Sequence, residues 1–197
     1  MYKRQQLHDG QLAKLRPGVY IDLSALAKGY GVDRLAEVYL AAGCGDFMVD
    51  IGGEIRVSGL SPRGGPWRIG IEVPDPSAIG VSQTVLALSD ISVATSGDYR
   101  NFRMVDGVRV DHVIDPRSGA PADNRVVSAT VLHPSAMWAD AYATALMVME
   151  LEEGMAFAER EGIAVYLMSH AEDGVGAVGQ TNAQLRVESR YSARMAR

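Results

Sequence analysis

SAMWADAYAT, residues 135–144, is an apolar, alanine-rich run that favours an α-helix and carries a carboxylate and a hydroxyl four residues apart. Ser135 is a suitable N-cap for this helix, which we expect to end near Met149. Asp140 and Thr144 then lie on one helix face. Their oxygens suit a small hard cation such as Mg²⁺. The alternative is an ordinary helix face on which Thr144 bonds back to the preceding turn.

Length and composition limit the classes of protein to consider. The 197 residues, 47% of them hydrophobic, can bury one sizeable core, so we expect a single domain. Nineteen basic and 24 acidic residues give a net charge of −5 without any Lys/Arg-rich run, which argues against nucleic acid as a partner. The single cysteine, Cys44, excludes an intrachain disulfide and a cysteine-based zinc cluster. No apolar stretch reaches the roughly 18 residues that a membrane helix needs.

The first segment, Met1 to Arg16, is polar and basic and leads directly into what reads as the middle of a domain. We therefore expect residues 1–197 to form one domain that lacks its N-terminal part. From Ala171 onward glycine, asparagine and glutamine weaken the pattern, and residues 171–197 are interpreted as a loosely specified C-terminal segment.

Short apolar segments separated by turn signals predict an α+β fold, a mainly antiparallel β-sheet with flanking helices. In the first helix, Ser24 is the expected N-cap and Gly43 the expected C-terminal stop. The predicted helices are 24–42, 135–149 and 151–161, and the predicted strands are 19–23, 47–51, 54–58, 67–73, 84–88, 92–95, 102–105, 109–114, 126–132, 163–168 and 184–189. The expected buried face of the first helix consists of Leu26, Tyr30, Leu35, Val38, Tyr39 and Ala42.

Two glycine-containing junctions are candidates for ligand binding. In DLSALAKGY, residues 22–30, the open N–H groups of a helix start favour an anion and Lys28 can add a positive charge. Alternatively, Asp22 only caps the helix and Lys28 is solvated. In IGGE, residues 51–54, Gly52 and Gly53 allow a ligand to approach the backbone closely, or they form a bulge.

Two further segments carry groups that can act on a ligand. ATSGDY, residues 94–99, places Ser96 just after a strand, where its hydroxyl can contact a ligand or complete a turn. DHVIDPRSG, residues 111–119, holds a histidine near a strand end before a strong turn signal. Because an ordinary histidine titrates near neutral pH, His112 is the natural general base, although a hydrogen-bonded structural role is the alternative.

Together these segments resemble the FAD:protein FMN transferase family, also called ApbE-like flavin transferases. The resemblance spans about Gly18 to Met168, with five motifs in the family's order. They are DLSALAKGY (22–30) followed by Asp33, IGGEIRVSG (51–59), ATSGDY (94–99), HVIDPRSG (112–119) and ADAYATA (139–145). Ser118 stands where the family often has threonine.

The resemblance implies Mg²⁺-dependent transfer of FMN from FAD to a threonine of an acceptor protein, with release of AMP. It implies that the Ala25 carbonyl, Asp140 and Thr144 hold the metal, that Asp22, Lys28 and Ile114 contact FAD, and that His112 is the catalytic base. By the same resemblance, a subunit of a membrane redox complex is a candidate acceptor, and the full-length protein is periplasmic or membrane-anchored. A hydrolase that splits FAD into FMN and AMP, and a non-catalytic flavin-binding module, are the alternatives.

Overall fold

The computed structural model describes residues 5–18, 20–74, 80–98, 102–105, 108–111, 113–122, 126–170 and 187–191. Its helices are α1 (Ser24–Ala41), α2 (Ala136–Leu146) and α3 (Leu151–Glu161). The strands are β1 (Gln5–His8), β2 (Gln11–Lys14), β3 (Phe47–Ile51), β4 (Glu54–Ser58), β5 (Trp67–Glu72), β6 (Ser82–Leu88), β7 (Ile91–Gly97), β8 (Phe102–Val105), β9 (Val108–Asp111), β10 (Val126–His133), β11 (Ala164–His170) and β12 (Val187–Tyr191). This arrangement confirms the expected α+β fold.

A six-stranded sheet forms the centre of the described structure. Its strand order is β12-β11-β10-β7-β4-β3, and every neighbouring pair is antiparallel. Three hairpins, β1–β2, β5–β6 and β8–β9, form separate two-stranded sheets. The β3–β4 hairpin turns through Gly52 and Gly53, whose φ angles of 61° and 100° explain why glycine occupies both positions.

Strand alternation divides the core between the two faces of the sheet. On β11, Val165 and Leu167 join the cluster beneath the helices, whereas Tyr166 and Met168 join Ile71 of β5. The helices therefore cover one face, with α1 against β3 and β4, α2 against β7 and β10, and α3 against β11. The β5–β6 hairpin covers part of the other face.

The two helices α1 and α2 are joined by a polar clamp. The Asp33 carboxylate on α1 accepts hydrogen bonds from the Ser135 hydroxyl at 2.6 Å and from the Ala136 and Met137 amides at 2.7 and 3.0 Å. It thereby satisfies N–H groups that the first turn of α2 leaves open. Ser135 is the N-cap, as predicted, and accepts from the Trp138 amide.

Gly29 allows α1 to approach α2 closely. A Cβ at this position would lie 2.2 Å from the Ala136 carbonyl oxygen, much closer than atoms can approach. The buried residues of α1 are accordingly Gly29, Val32 and Ala36. The predicted apolar face was wrong: Leu26 and the exposed Tyr30, Leu35, Val38, Tyr39 and Ala42 do not form the buried stripe. The close helix contact selects small residues, which a search for large apolar ones overlooks.

Local boundaries also differ from the sequence predictions. Residues 20–23 form no strand, and residue 19 lies outside the described residues. The N-cap of α1 is Leu23, and Ser24 is the first helical residue. The predicted strand 109–114 ends at Asp111, and α2 ends at Leu146. The stop at Gly43 is confirmed: its amide bonds the Leu40 carbonyl at a φ of 80°.

None of the helices in the described part of the chain combines the length and apolarity needed to cross a bilayer.

We predict that Gly29→Ala destabilises the protein by about 1–3 kcal/mol, because the new methyl group forces α1 away from the α2 backbone. Helix propensity alone predicts the opposite sign, a gain of about 1 kcal/mol. Urea unfolding measures the difference.

Gly31→Ala is the matched control on the same helix. Its Cβ would meet only the flexible end of Ile51, at 3.1 Å, so stability should stay within about 1 kcal/mol of the wild type. Equal stability of the two variants would contradict the proposed close contact.

Candidate functional site

A cleft of about 740 Å³ opens where α1, the β3–β4 turn, β5, β7 and α2 meet. A volume of this size is typical of small-molecule and cofactor sites. The cleft gathers most of the residues selected from the sequence. Those among its lining are Asp22, Ala25, Lys28, Gly52, Gly53, Ser96, Ile114, Asp140 and Thr144.

The start of α1 forms one rim of the cleft. The Asp22 carboxylate accepts a hydrogen bond from the Ser24 amide at 2.8 Å. That bond, followed by one from the Ser24 hydroxyl, lowers the pKa of Asp22 below its ordinary value. Asp22 thus stabilises the helix start, as the alternative interpretation proposed, while also lining the cleft.

Lys28 and Glu54 form an ion pair beside the glycine turn. The Lys28 Nζ lies 2.6 Å from Glu54 Oε2, with the lysine side chain 48% exposed and that of the glutamate only 2% exposed. Burial raises the pKa of Glu54; Lys28 opposes this shift, and the nearby Asp140 carboxylate adds to it. A buried carboxylate of this kind depends on its single cationic neighbour.

Asp140 and Thr144 lie at the inner end of the cleft, on the face of α2 that the sequence predicted. Asp140 is 3% exposed, and its Oδ2 accepts a hydrogen bond from the Gly29 amide at 3.0 Å. Burial raises the pKa of Asp140, with Gly29 and then Lys28 opposing the shift. The Thr144 hydroxyl lies 3.3 Å from the Ser96 hydroxyl. This corner therefore presents one carboxylate and two hydroxyls.

An apolar wall also lines the cleft. It is built from Ile55 of β4, Ile69 and Ile71 of β5, and Val93 of β7, with Ile114 at its edge. Ile114 is 51% exposed and forms an isolated bridge with Pro121. Such a surface suits a flat, largely apolar group.

Arg117 fixes the loop that carries Ile114. Its guanidinium contacts the Asp115 carboxylate at 3.1 Å, Glu153 at 3.3 Å and the Val148 carbonyl at 2.5 Å. The bonds from Arg117 lower the pKa of Asp115. The loop is thereby fastened to the connection between α2 and α3.

His112, the predicted catalytic base, lies outside the described residues. The next residue, Val113, lines the cleft. The role of His112 therefore stays a prediction.

Sequence reasoning missed Glu54 and the wall from β5. Glu54 belonged to a motif that the resemblance used, but only its glycines received a role. The available signal was a charged residue that directly follows two glycines at the start of a strand. Ile69 and Ile71 read as ordinary strand residues, and the sequence carries no signal that places them beside α2.

Three kinds of comparison agree on the relatives of this chain. Residues 1–167 match the model of the ApbE family. The FAD:protein FMN transferase of Vibrio cholerae is 50% identical over 163 residues, 83% of this chain and 48% of that protein. The Escherichia coli K12 protein of the same name is 39% identical over 168 residues, 85% of this chain and 48% of that protein.

Solved structures show the same fold. The flavin transferase ApbE from Vibrio cholerae superimposes with a TM-score of 0.83 at 42% identity, covering 98% of this chain and 57% of that one. The apo flavinyl transferase ApbE of Pseudomonas stutzeri superimposes with a TM-score of 0.78 at 34% identity. The match covers 97% of this chain and 55% of that one. The chain spans about half the length of the curated relatives it matches.

We predict that Asp140→Asn raises the melting temperature at pH 7.5 in the presence of a chelator. The unfolded chain loses the Asp140 proton near pH 4, whereas the folded protein retains it to higher pH, so wild-type stability falls as pH rises through this interval. Asparagine keeps an oxygen for the Gly29 amide and removes the buried charge.

Melting curves across pH check this prediction. The melting temperatures of the wild type and the variant should converge toward about pH 3.5, where Asp140 is mostly protonated in both the folded and the unfolded state. A melting temperature lower than that of the wild type at pH 7.5 would show that the charged carboxylate stabilises the metal-free fold.

Proposed function

The chain belongs to the ApbE family, and on this basis we propose that it transfers FMN from FAD to a threonine hydroxyl of an acceptor protein, releasing AMP in a Mg²⁺-dependent reaction. The observation that carries the proposal is the mixed lining of the cleft. Lys28, Asp140 and Thr144 contribute charged and oxygen-bearing groups, and isoleucines contribute apolar surface. FAD has the matching parts, a pyrophosphate and a flat isoalloxazine ring.

The oxygen-rich corner fits a divalent cation. In a regular helix the Gly29 amide would bond the Ala25 carbonyl, four residues earlier. Here that amide donates to Asp140 Oδ2. The Asp140 carboxylate therefore competes with the Ala25 carbonyl for the Gly29 N–H. We propose that the Ala25 carbonyl, Asp140 and Thr144 hold Mg²⁺, whose ligands are typically oxygens together with phosphate and water. Bound there, the ion shields pyrophosphate charge and stabilises the leaving AMP.

The remaining groups bind and orient the substrate. We assign Lys28 to the phosphates, where its ammonium stabilises the developing negative charge. Asp22 and Ile114 contact FAD at the rims of the cleft, and Gly52 and Gly53 let the ligand approach the β3–β4 backbone. The Ser96 hydroxyl, beside Thr144, adds a polar contact at the inner end.

The transfer replaces the phosphoanhydride bond of FAD by a phosphoester bond. The acceptor threonine oxygen forms a bond to the FMN phosphorus, and the bond from that phosphorus to the AMP oxygen breaks. We assign to His112 the removal of the hydroxyl proton, since a threonine hydroxyl is a weak nucleophile without a base.

Incubation with FAD, Mg²⁺ and a candidate acceptor should add the mass of FMN less one water to a threonine of that acceptor and release AMP in equal amount. Mass spectrometry of the acceptor and chromatography of AMP measure the two products. AMP release that is independent of acceptor would favour the hydrolase. FAD binding without AMP release would favour a binding module.

His112→Ala should lower the transfer rate by about 100-fold or more, because general-base catalysis contributes on that scale. FAD affinity should change little. His8→Ala is the matched control, since the His8 side chain is 86% exposed on the β1–β2 hairpin. Full transfer activity of the His112 variant would contradict the assignment of the base.

A further inference from the structure

The buried Glu54 carboxylate has no role in the reaction as derived above. We propose that Glu54 is a positioning residue that holds the Lys28 ammonium at the phosphate end of the cleft before the dinucleotide binds. The proposal rests on the proposed function of the site and adds to it the group that preorganises its lysine.

One ion pair holds the end of the lysine side chain, and the rest of the side chain passes beside the glycine turn. At its end, Nζ lies 2.6 Å from Glu54 Oε2. Along its length, Cδ passes so close to Gly52 that a Cβ built there would lie 3.7 Å away, an ordinary van der Waals distance. The lysine thus lies across the glycine turn with its ammonium beside the first residue of β4. A half-exposed lysine without such contacts would sample many rotamers.

Stability does not account for this ion pair. Burying a carboxylate is costly, and buried ion pairs can often be replaced by apolar residues without loss of stability. Glu54 nevertheless has a 2% exposed side chain, and its charge depends on Lys28. A preorganised lysine explains the arrangement, because the ligand then does not have to order that side chain when it binds.

The arrangement leaves the ammonium able to bind an anion. An ammonium carries three donors, and Glu54 engages it from the buried side of the pair while the lysine lines the cleft. Asp140, which bonds the amide of Gly29 next to Lys28, and Thr144 line the same cleft. The part of FAD expected at Lys28 is therefore its anionic pyrophosphate rather than its uncharged flavin ring.

The test measures binding of ADP and of riboflavin to the purified protein in the presence of a chelator. ADP carries a pyrophosphate without a flavin, and riboflavin carries the flavin without phosphate. Glu54→Gln should weaken ADP binding about 3- to 10-fold, the range for immobilising one flexible side chain. Riboflavin binding should not change. A general structural defect would affect both ligands.

A double-mutant cycle shows whether Glu54 acts through Lys28. In a Lys28→Met background, Glu54→Gln should have no further effect on ADP binding. Glu37→Gln is the matched control for loss of one negative charge. Glu37 is exposed on α1, the helix that carries Lys28, and pairs with Arg34. Its ADP affinity should equal that of the wild type. Melting curves verify that each variant is folded.

Three results would overturn the proposal. Tighter ADP binding by Glu54→Gln would show that the carboxylate competes with phosphate for the lysine. An equal loss in the Lys28→Met background would show that Glu54 acts on another group. If the wild-type protein does not bind ADP, the cleft has no phosphate site for Glu54 and Lys28 to serve. A protein that passes these binding tests but never transfers FMN would disprove only the proposed reaction.

Discussion

The contact between α1 and α2 is the constraint on which the candidate site depends. Gly29 lets the helices approach, Asp33 bonds the first turn of α2, and the Gly29 amide bonds Asp140. Lys28 comes from one helix and Thr144 from the other. Their relative positions are therefore set by backbone-level contacts, which tolerate little variation.

The polar corner is unfavourable for the fold by itself. Asp140 and Glu54 are both buried carboxylates with raised pKa values, and both lie near one lysine. Folding alone would favour uncharged residues in their places. Sites of function commonly depart from the most stable sequence in this way. The arrangement becomes favourable when the charges meet their proposed ligands, a cation at Asp140 and a phosphate at Lys28.

Local signals predicted the parts of the fold that are determined locally. Helix α3 has the predicted bounds and ends at Gly162, whose φ of 67° is the left-handed conformation typical of glycine after a helix. The bounds of β3 and β4 and the Ser135 cap follow equally short patterns, whereas Gly52 and Gly53 form a hairpin turn instead of the bulge offered as an alternative. The buried face of α1 was not predictable in this way, since it depends on which helix packs against Gly29.

The same distinction between local features and contacts between elements applies to the candidate site. The spacing of Asp140 and Thr144 predicted that they share one helix face, and both line the cleft. The pairing of Lys28 with Glu54 joins residues from two elements, and neither residue's neighbours in the sequence indicate it. The role of His112 rests on the general chemistry of histidine and on resemblance to the family. Distances between elements require coordinates, whereas spacing within one element does not.

The β5–β6 hairpin has a consequence for how this cleft can diversify. Within the described residues, its two strands pair with each other and form a sheet of their own. Side chains such as Ile71, which packs against Tyr166 and Met168, and Trp67, which donates to the Ser58 carbonyl, attach it to the central sheet. The isoleucines that it contributes to the cleft therefore lie on an element separate from the helices that carry Lys28, Asp140 and Thr144. Substitutions on this hairpin can change the apolar lining of the cleft without altering the backbone contacts that position the charged residues.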